Sequence, residues 1–201
     1  MTLLPYLEAN RLEAGCDEVG RGCLAGPVMA AAVILPPDFS NKWINDSKKL
    51  TKANRESLVE LIKGESIAWA IAEASVEEID EINILNASFL AMKRAIKKLP
   101  KTPEHLLIDG NRWKSDLDIP HTCVIKGDGK FASIASASIL AKVARDKFME
   151  TLAKDHPFYG WETNVGYPTK AHREGIKKHG DCIWHRKSFT LLKGQMSLDL
   201  K

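Results

Sequence analysis

A chain of 201 residues with 44% hydrophobic and 27% charged side chains can bury a core without disulfides and is too apolar for wholesale disorder. No apolar run reaches the roughly 20 residues of a membrane span, MTLLPYLEANRLEAG lacks the regions of a secretory leader, and Cys16, Cys23, Cys123 and Cys182 show no CxxC or zinc spacing, so a cytoplasmic address is expected. The net charge of +3 excludes nothing, but six acids without a base from Glu65 to Glu81, set against seven Lys or Arg with two acids from Lys170 to Lys193, suit either one face toward a polyanion or two solvated helix faces.

Residues 12–19 and 27–35 read as two strands rich in Val, Ile, Leu and Ala, with Gly20-Arg21-Gly22 and Gly26-Pro27 between them. SKKLTKANRESLVELIKG has a Ser/Thr start, apolar residues at Leu58, Leu61 and Ile62, and a closing Gly64, which predicts a helix. SIAWAIAEAS is a third strand. ILNASFLAMKRAIKKL repeats apolar residues at Leu85, Phe89, Met92 and Ile96, a helical period with a basic outer face. HLLIDG and HTCVIKGDG are short strands, each followed by an acid beside glycine. FASIASASILAKVARDKFMETLA is a long helix whose Ala/Ser face requires a close neighbour. Beyond Pro157 the chain is rich in Gly, Pro, His and aromatics. Strands early, with helices between and after them, indicate an α/β layered domain.

Four acids stand at the ends of apolar elements: Asp17, Glu18, Asp109 and Asp128. Any one of them could be ordinary turn chemistry, since Asp-Gly is a common turn. Four together are electrostatically costly, because neighbouring carboxylates raise one another's pKa. Mg²⁺ or Mn²⁺ relieves that cost through oxygen ligands. Two such ions about 4 Å apart serve phosphodiester hydrolysis.

GCDEVGRGCLAGPV, NDSKKL, LIDGN, VIKGDGKFASIASASILAKVARD, HPFYGW, VGYPTKAHREGIKKHG and HRKSF follow one another across nearly the whole chain. In these motifs the sequence resembles the type 2 ribonucleases H, the bacterial ribonuclease HII enzymes. The resemblance implies a ribonuclease-H-like fold: a mixed five-stranded sheet flanked by helices, with a helical C-terminal extension. It places the metal-binding and catalytic acids on Asp17, Glu18, Asp109 and Asp128, with two Mg²⁺ or Mn²⁺ ions when substrate is bound. It further implies cleavage of the RNA strand of RNA/DNA hybrids, and cleavage 5′ of single ribonucleotides in duplex DNA, leaving 3′-hydroxyl and 5′-phosphate ends.

By the same resemblance Gly20, Arg21 and Gly22 form the loop that senses the ribose 2′-hydroxyl, which distinguishes RNA from DNA. Tyr167 packs on the adjoining deoxyribose, with Pro168 where the family more often has glycine. Lys48, Thr169 and Lys170 are phosphate contacts. His172 and His185 are read either as aids to proton or product handling or as polar members of a basic face, and Asp146 as a structural partner for an arginine or for backbone. Cys16 and Cys23 have no paired base and are read as inert.

Residues 1–190 are expected to form the catalytic unit of a monomer, and residues 191–201 a flexible tail. That tail ends in QMSLDL, similar to peptides that dock on the DNA polymerase sliding clamp, with Gln195, Met196, Leu198 and Leu200 as the contacts. A frayed terminus is the other reading. A type 3 enzyme would need an N-terminal domain before the first acidic pair, and the pair falls at residue 17. Two other functions fit the sequence less well. A non-catalytic nucleic-acid-binding module on the same fold would require loss of an acid, and all four are present. A phosphate-loop hydrolase fails because Val124 and Phe131 stand where the pattern needs glycine and Ser/Thr.

Overall fold

The computed structural model describes residues 3–44 and 51–192. Its centre is a mixed five-stranded sheet. The strands are Glu13–Val19 (β1), Val28–Ile34 (β2), Ala68–Ala74 (β3), His105–Asp109 (β4) and His121–Val124 (β5), in the order β3-β2-β1-β4-β5. β1, β2 and β3 pair antiparallel, while β4 and β5 add parallel to β1 on its other side. All seven residues of β2 are buried, as expected of a strand covered on both faces, where the apolar run is continuous rather than alternating.

One face packs against the helix Val76–Lys97 (α2) through Ile79, Ala87, Ala91 and Met92. The other face packs against Lys52–Glu65 (α1) and Ala132–Asp155 (α3). The small-residue face of α3 does meet a close neighbour. A Cβ on Gly15 would lie 2.3 Å from the backbone of Ser133 and Ile134, so α3 crosses β1 at the one residue that lets it touch the strand. The C-terminal part, with Trp161–Asn164 (α4) and Lys170–His179 (α5), encloses a third cluster around Trp161, Tyr159 and Met149.

Two helix ends differ from expectation. α1 starts after Thr51, whose hydroxyl accepts from the Asn54 amide, and it passes through Gly64 to a cap at Ser66. α2 begins earlier than the apolar period indicates, at Val76. There Ser75 and Glu78 form a reciprocal capping box, worth about 1 kcal/mol. The helix breaks at Asn83, whose φ is 66°. Asn83 Oδ1 accepts from the amides of Leu85 and Asn86, restarting the helix at Ile84, the predicted beginning.

Candidate active site

Strand register brings the acids to one edge. Cys16 pairs with Ile108 across β1 and β4, which sets Asp17 and Asp109 on the next rung. Asp109 pairs in turn with Val124 at the end of β5. The chain then turns through left-handed Lys126 into the short 3-10 turn Gly127–Gly129 that carries Asp128. The Gly127 amide donates to Asp109 Oδ1 at 2.6 Å, tying that turn to the strand. Asp17 and Asp128 are only 6% and 5% exposed, so these two lie beneath the surface.

Alternation along β1 sends Asp17 and Glu18 to opposite faces. Asp17 lies on the α3 side with Gly15, and Ser138 of α3 hydrogen-bonds it. The distances match: two strand residues from Gly15 span roughly 7 Å, and the four or five helix residues from the crossing to Ser138 rise about 6–8 Å. Glu18 lies on the α2 side. It lines a cleft of about 50 Å³ with Arg21, Asp109, Asn111 and Arg112, and Arg21 Nη1 donates to its Oε1 at 3.1 Å.

Burial, then Glu18, then Asp109 push the Asp17 carboxyl well above its ordinary range, against the hydrogen bonds from Ser138 and the Glu18 amide. Burial also raises Glu18, opposed by Arg21 and reinforced by Asp109. Three carboxylates therefore share one electrostatic neighbourhood. Among the described residues no three His, Cys, Asp or Glu side chains are spaced to cage an ion as they stand. The donor chemistry still fits a hard dication: the ligands are oxygens, like charge is crowded and only partly offset, and Mg²⁺ keeps several waters rather than demanding a full protein cage. Asp17, Glu18, Asp109 and Asp128 are the residues that could hold it.

Beside the acids runs the Gly20–Gly22 loop. Gly20 has φ 98°, and a Cβ there would lie 2.3 Å from Arg145 Nε, so both backbone and space require glycine. Gly22 is open on its outer side, with Tyr167 Cε1 4.0 Å from where its Cβ would be. Arg21 is half exposed. Tyr167 is 38% exposed and lies beneath the Lys142 ammonium, which is 5.9 Å from the ring centre. Thr169 caps α5 by accepting from the His172 amide, and Lys170 extends into solvent. Lys48 and the hexapeptide residues Gln195, Met196, Leu198 and Leu200 lie outside the described residues. Asp146 pairs with Lys142 at 2.7 Å and Arg55 at 3.8 Å, the expected structural role. Burial raises the thiol pKa of both Cys16 and Cys23, in keeping with inert cysteines.

A ribonuclease HII family profile matches residues 14–192. The chain belongs to the ribonuclease HII family. Its sequence is 62% identical to the ribonuclease HII of Parabacteroides distasonis over 98% of both chains, and 59% identical to that of Phocaeicola vulgatus over 98% of both. Ribonuclease HII enzymes are ribonuclease H endonucleases, and this chain is one of them. The fold is similar to that of ribonuclease H2 from Pyrococcus horikoshii, with a TM-score of 0.74 at 24% identity, covering 89% of this chain and 94% of that one. It is also similar to the ribonuclease HII in a PCNA complex from Archaeoglobus fulgidus, with a TM-score of 0.72 at 26% identity, covering 94% and 98%.

Two further pairs emerge only from the structure. Arg145 and Arg186 are both fully buried. Arg145 donates to the carbonyls of Pro27, Val165 and Ala25 at 2.8–2.9 Å. Arg186 donates to Gly26 and Arg21. Both arginines stand in motifs quoted above, but a charged residue in a basic run gives no sequence signal of burial. His172 and His185, read as candidates for a basic face, are 0% and 1% exposed. They lie in the aromatic cluster with Trp161 and Tyr159, His172 from the inner side of α5 and His185 from the segment that follows it.

Proposed function

We propose that Asp17, Glu18, Asp109 and Asp128 hold divalent cations, Mg²⁺ or Mn²⁺, two of them when substrate is bound. When bound, such ions supply charge neutralisation at the scissile phosphate and a water of lowered pKa. The chain's own residues do the placing. Ser138 and the Glu18 amide orient Asp17, the Gly127 amide orients Asp109, and Arg21 steadies Glu18. A related ribonuclease HIII has been solved with Mn²⁺, and the present fold resembles it with a TM-score of 0.65.

The substrates are RNA/DNA hybrids and duplex DNA containing ribonucleotides, cut to leave 3′-hydroxyl and 5′-phosphate ends. The observation that carries this reading is continuity. The acidic edge runs directly into the Gly20–Gly22 loop, and the open side of Gly22 faces Tyr167. Backbone without a Cβ can approach a 2′-hydroxyl, while the ring of Tyr167 offers an apolar face to a sugar that lacks one. Thr169, Lys170 and Lys48 contact phosphates. Residues 1–190 act as a catalytic unit, as a monomer in the cytoplasm, where four free cysteines are at home.

Cleavage-site mapping tests the reading on two substrates, a duplex with one ribonucleotide and a continuous hybrid. With Mg²⁺ or Mn²⁺ both should be cut, the first on the 5′ side of the ribonucleotide. Robust cleavage in excess EDTA would overturn the metal assignment, and an intact single-ribonucleotide duplex would overturn the substrate. The hexapeptide QMSLDL docks on the sliding clamp, by analogy with the Archaeoglobus fulgidus protein solved with PCNA. A clamp pull-down with and without residues 195–201 checks this, and equal capture of both forms refutes it.

A further inference from the structure

The C-terminal basic stretch contains three residues that cannot face a polyanion, His172, His185 and Arg186, because all are buried. Arg186 faces one substrate-reading element. Its Nε and Nη2 donate to Gly26 O at 2.9 and 2.8 Å, and its Nη1 donates to Arg21 O at 3.1 Å. Main chain reinforces this: the Arg186 amide donates to Leu24 O, and the Gly26 amide to Trp184 O. Residues 184–186 thus clasp the loop that follows Gly20.

His185 faces the other element through a one-way chain. The Cys182 amide donates to His185 Nδ1 at 3.0 Å, and Trp161 Nε1 donates to His172 Nε2 at 3.0 Å. Both of those groups can only donate, so each accepting nitrogen is unprotonated. The proton of His185 therefore sits on Nε2 and points at His172 Nε2, 3.1 Å away, sharing that nitrogen's single lone pair with the Trp161 indole N–H. The proton of His172 sits on Nδ1 and points at Tyr167 O, 2.9 Å away. Burial keeps both rings neutral, with His185 pushed down to about 4 and His172 also lowered.

We infer that the His185–Arg186 dipeptide is a positioning unit, joining the carbonyl of Arg21 to the carbonyl of Tyr167 and so setting the spacing between the ribose-reading loop and the deoxyribose-reading tyrosine. The inference rests on the roles proposed above for those two elements. A packing role alone would be met by apolar side chains of similar volume. The observed chain is directional, and it ends on the two substrate-reading segments.

Two substitutions separate the link from the packing. His185→Asn retains an acceptor for the Cys182 amide but is too short to reach His172. His185→Gln retains an N–H at the ε position. The readout is kcat/KM on a single-ribonucleotide duplex divided by kcat/KM on a continuous hybrid, with melting curves for each protein. His185→Asn should lower this ratio about fivefold, the weight of one neutral hydrogen bond, and His185→Gln should bring it back to within about twofold of wild type. Tyr167→Ala should lower the ratio, and adding His185→Asn to it should lower it no further. Equal losses on both substrates, or a changed melting temperature with an unchanged ratio, would overturn the positioning role while leaving Tyr167 in place. An unchanged ratio in Tyr167→Ala would overturn the reading of the tyrosine instead. If His185→Asn does not fold, His172→Asn is measured in the same way, since it keeps a donor for Tyr167 O and drops the His185 contact.

Discussion

The acidic edge and the arginine-braced loop beside it both bury like charges, and they resolve the problem in opposite ways. Behind the loop, the guanidiniums of Arg145 and Arg186 spend their N–H groups on carbonyls of Arg21, Ala25, Gly26, Pro27 and Val165. Burial and the neighbouring Arg145 lower Arg186 only to about 10, so it stays cationic at neutral pH. At the edge, Asp17 accepts from Ser138 and the Glu18 amide, yet its pKa stays well raised by burial and by Glu18 and Asp109. A buried charge fully met by its own chain is architecture. A buried charge still unbalanced after the chain has offered its donors awaits something from outside.

Breaking the acidic side gives the largest expected effect. Asp17→Asn should reduce cleavage of a hybrid by more than about a hundredfold, beyond the loss typical of residues one layer removed from a metal. In EDTA the same variant should melt higher than wild type, by about 2–4 °C for each kcal/mol of repulsion relieved. The sign follows because a carboxyl whose folded pKa lies above its ordinary value of 3.8 costs stability once pH exceeds both. Added Mg²⁺ should raise the melting temperature of the wild type more than that of the variant.

Breaking the arginine side should do the reverse. Arg145→Met strands three carbonyl oxygens at about 1 kcal/mol each, so its melting temperature should fall by roughly 6–12 °C, with or without Mg²⁺. A fall that Mg²⁺ reverses would erase the distinction between the two regions.

Acidification sharpens the comparison by loading the histidines. With its pKa pushed from 6.5 to about 4 by burial, then by His172, folded His185 refuses a proton that the unfolded chain accepts. Its contribution to stability is complete above pH 6.5 and is lost as pH falls toward about 4. Thermal melts at pH 7 and pH 5 should therefore differ less in His185→Asn than in wild type. The smallest effect belongs to the exposed face. Lys170→Ala should weaken hybrid binding less than about tenfold and reduce the slope of log affinity against log salt by about 1.

Much of this was legible in the residues themselves. The strand-ending acids, the glycines around Arg21 and the Ala/Ser face of α3 each state a local requirement, and register then met it. The first turns of α2 stand outside the apolar period although Ser75 and Glu78 spell a capping box, because Asn83 interrupts the period that marks the rest of the helix. Burial of the histidines is hidden for a different reason. In a run that contains Lys177, Lys178 and Lys187, nothing local distinguishes a buried imidazole from an exposed one.

By itself the sequence determined the α/β character of the chain, the four acids and their order, and the family to which they belong. These depend on alternation, helical period and turn chemistry, all of which act over a few residues. Tertiary structure alone decided that Asp109, on a neighbouring strand, acts on both Asp17 and Glu18, which alternation already sends to opposite faces of the sheet. It also decided that Arg145 of α3, and Arg186 and two histidines of the basic tail, are interior parts. Those facts depend on which distant segments pack together, and burial reverses what a charged side chain means.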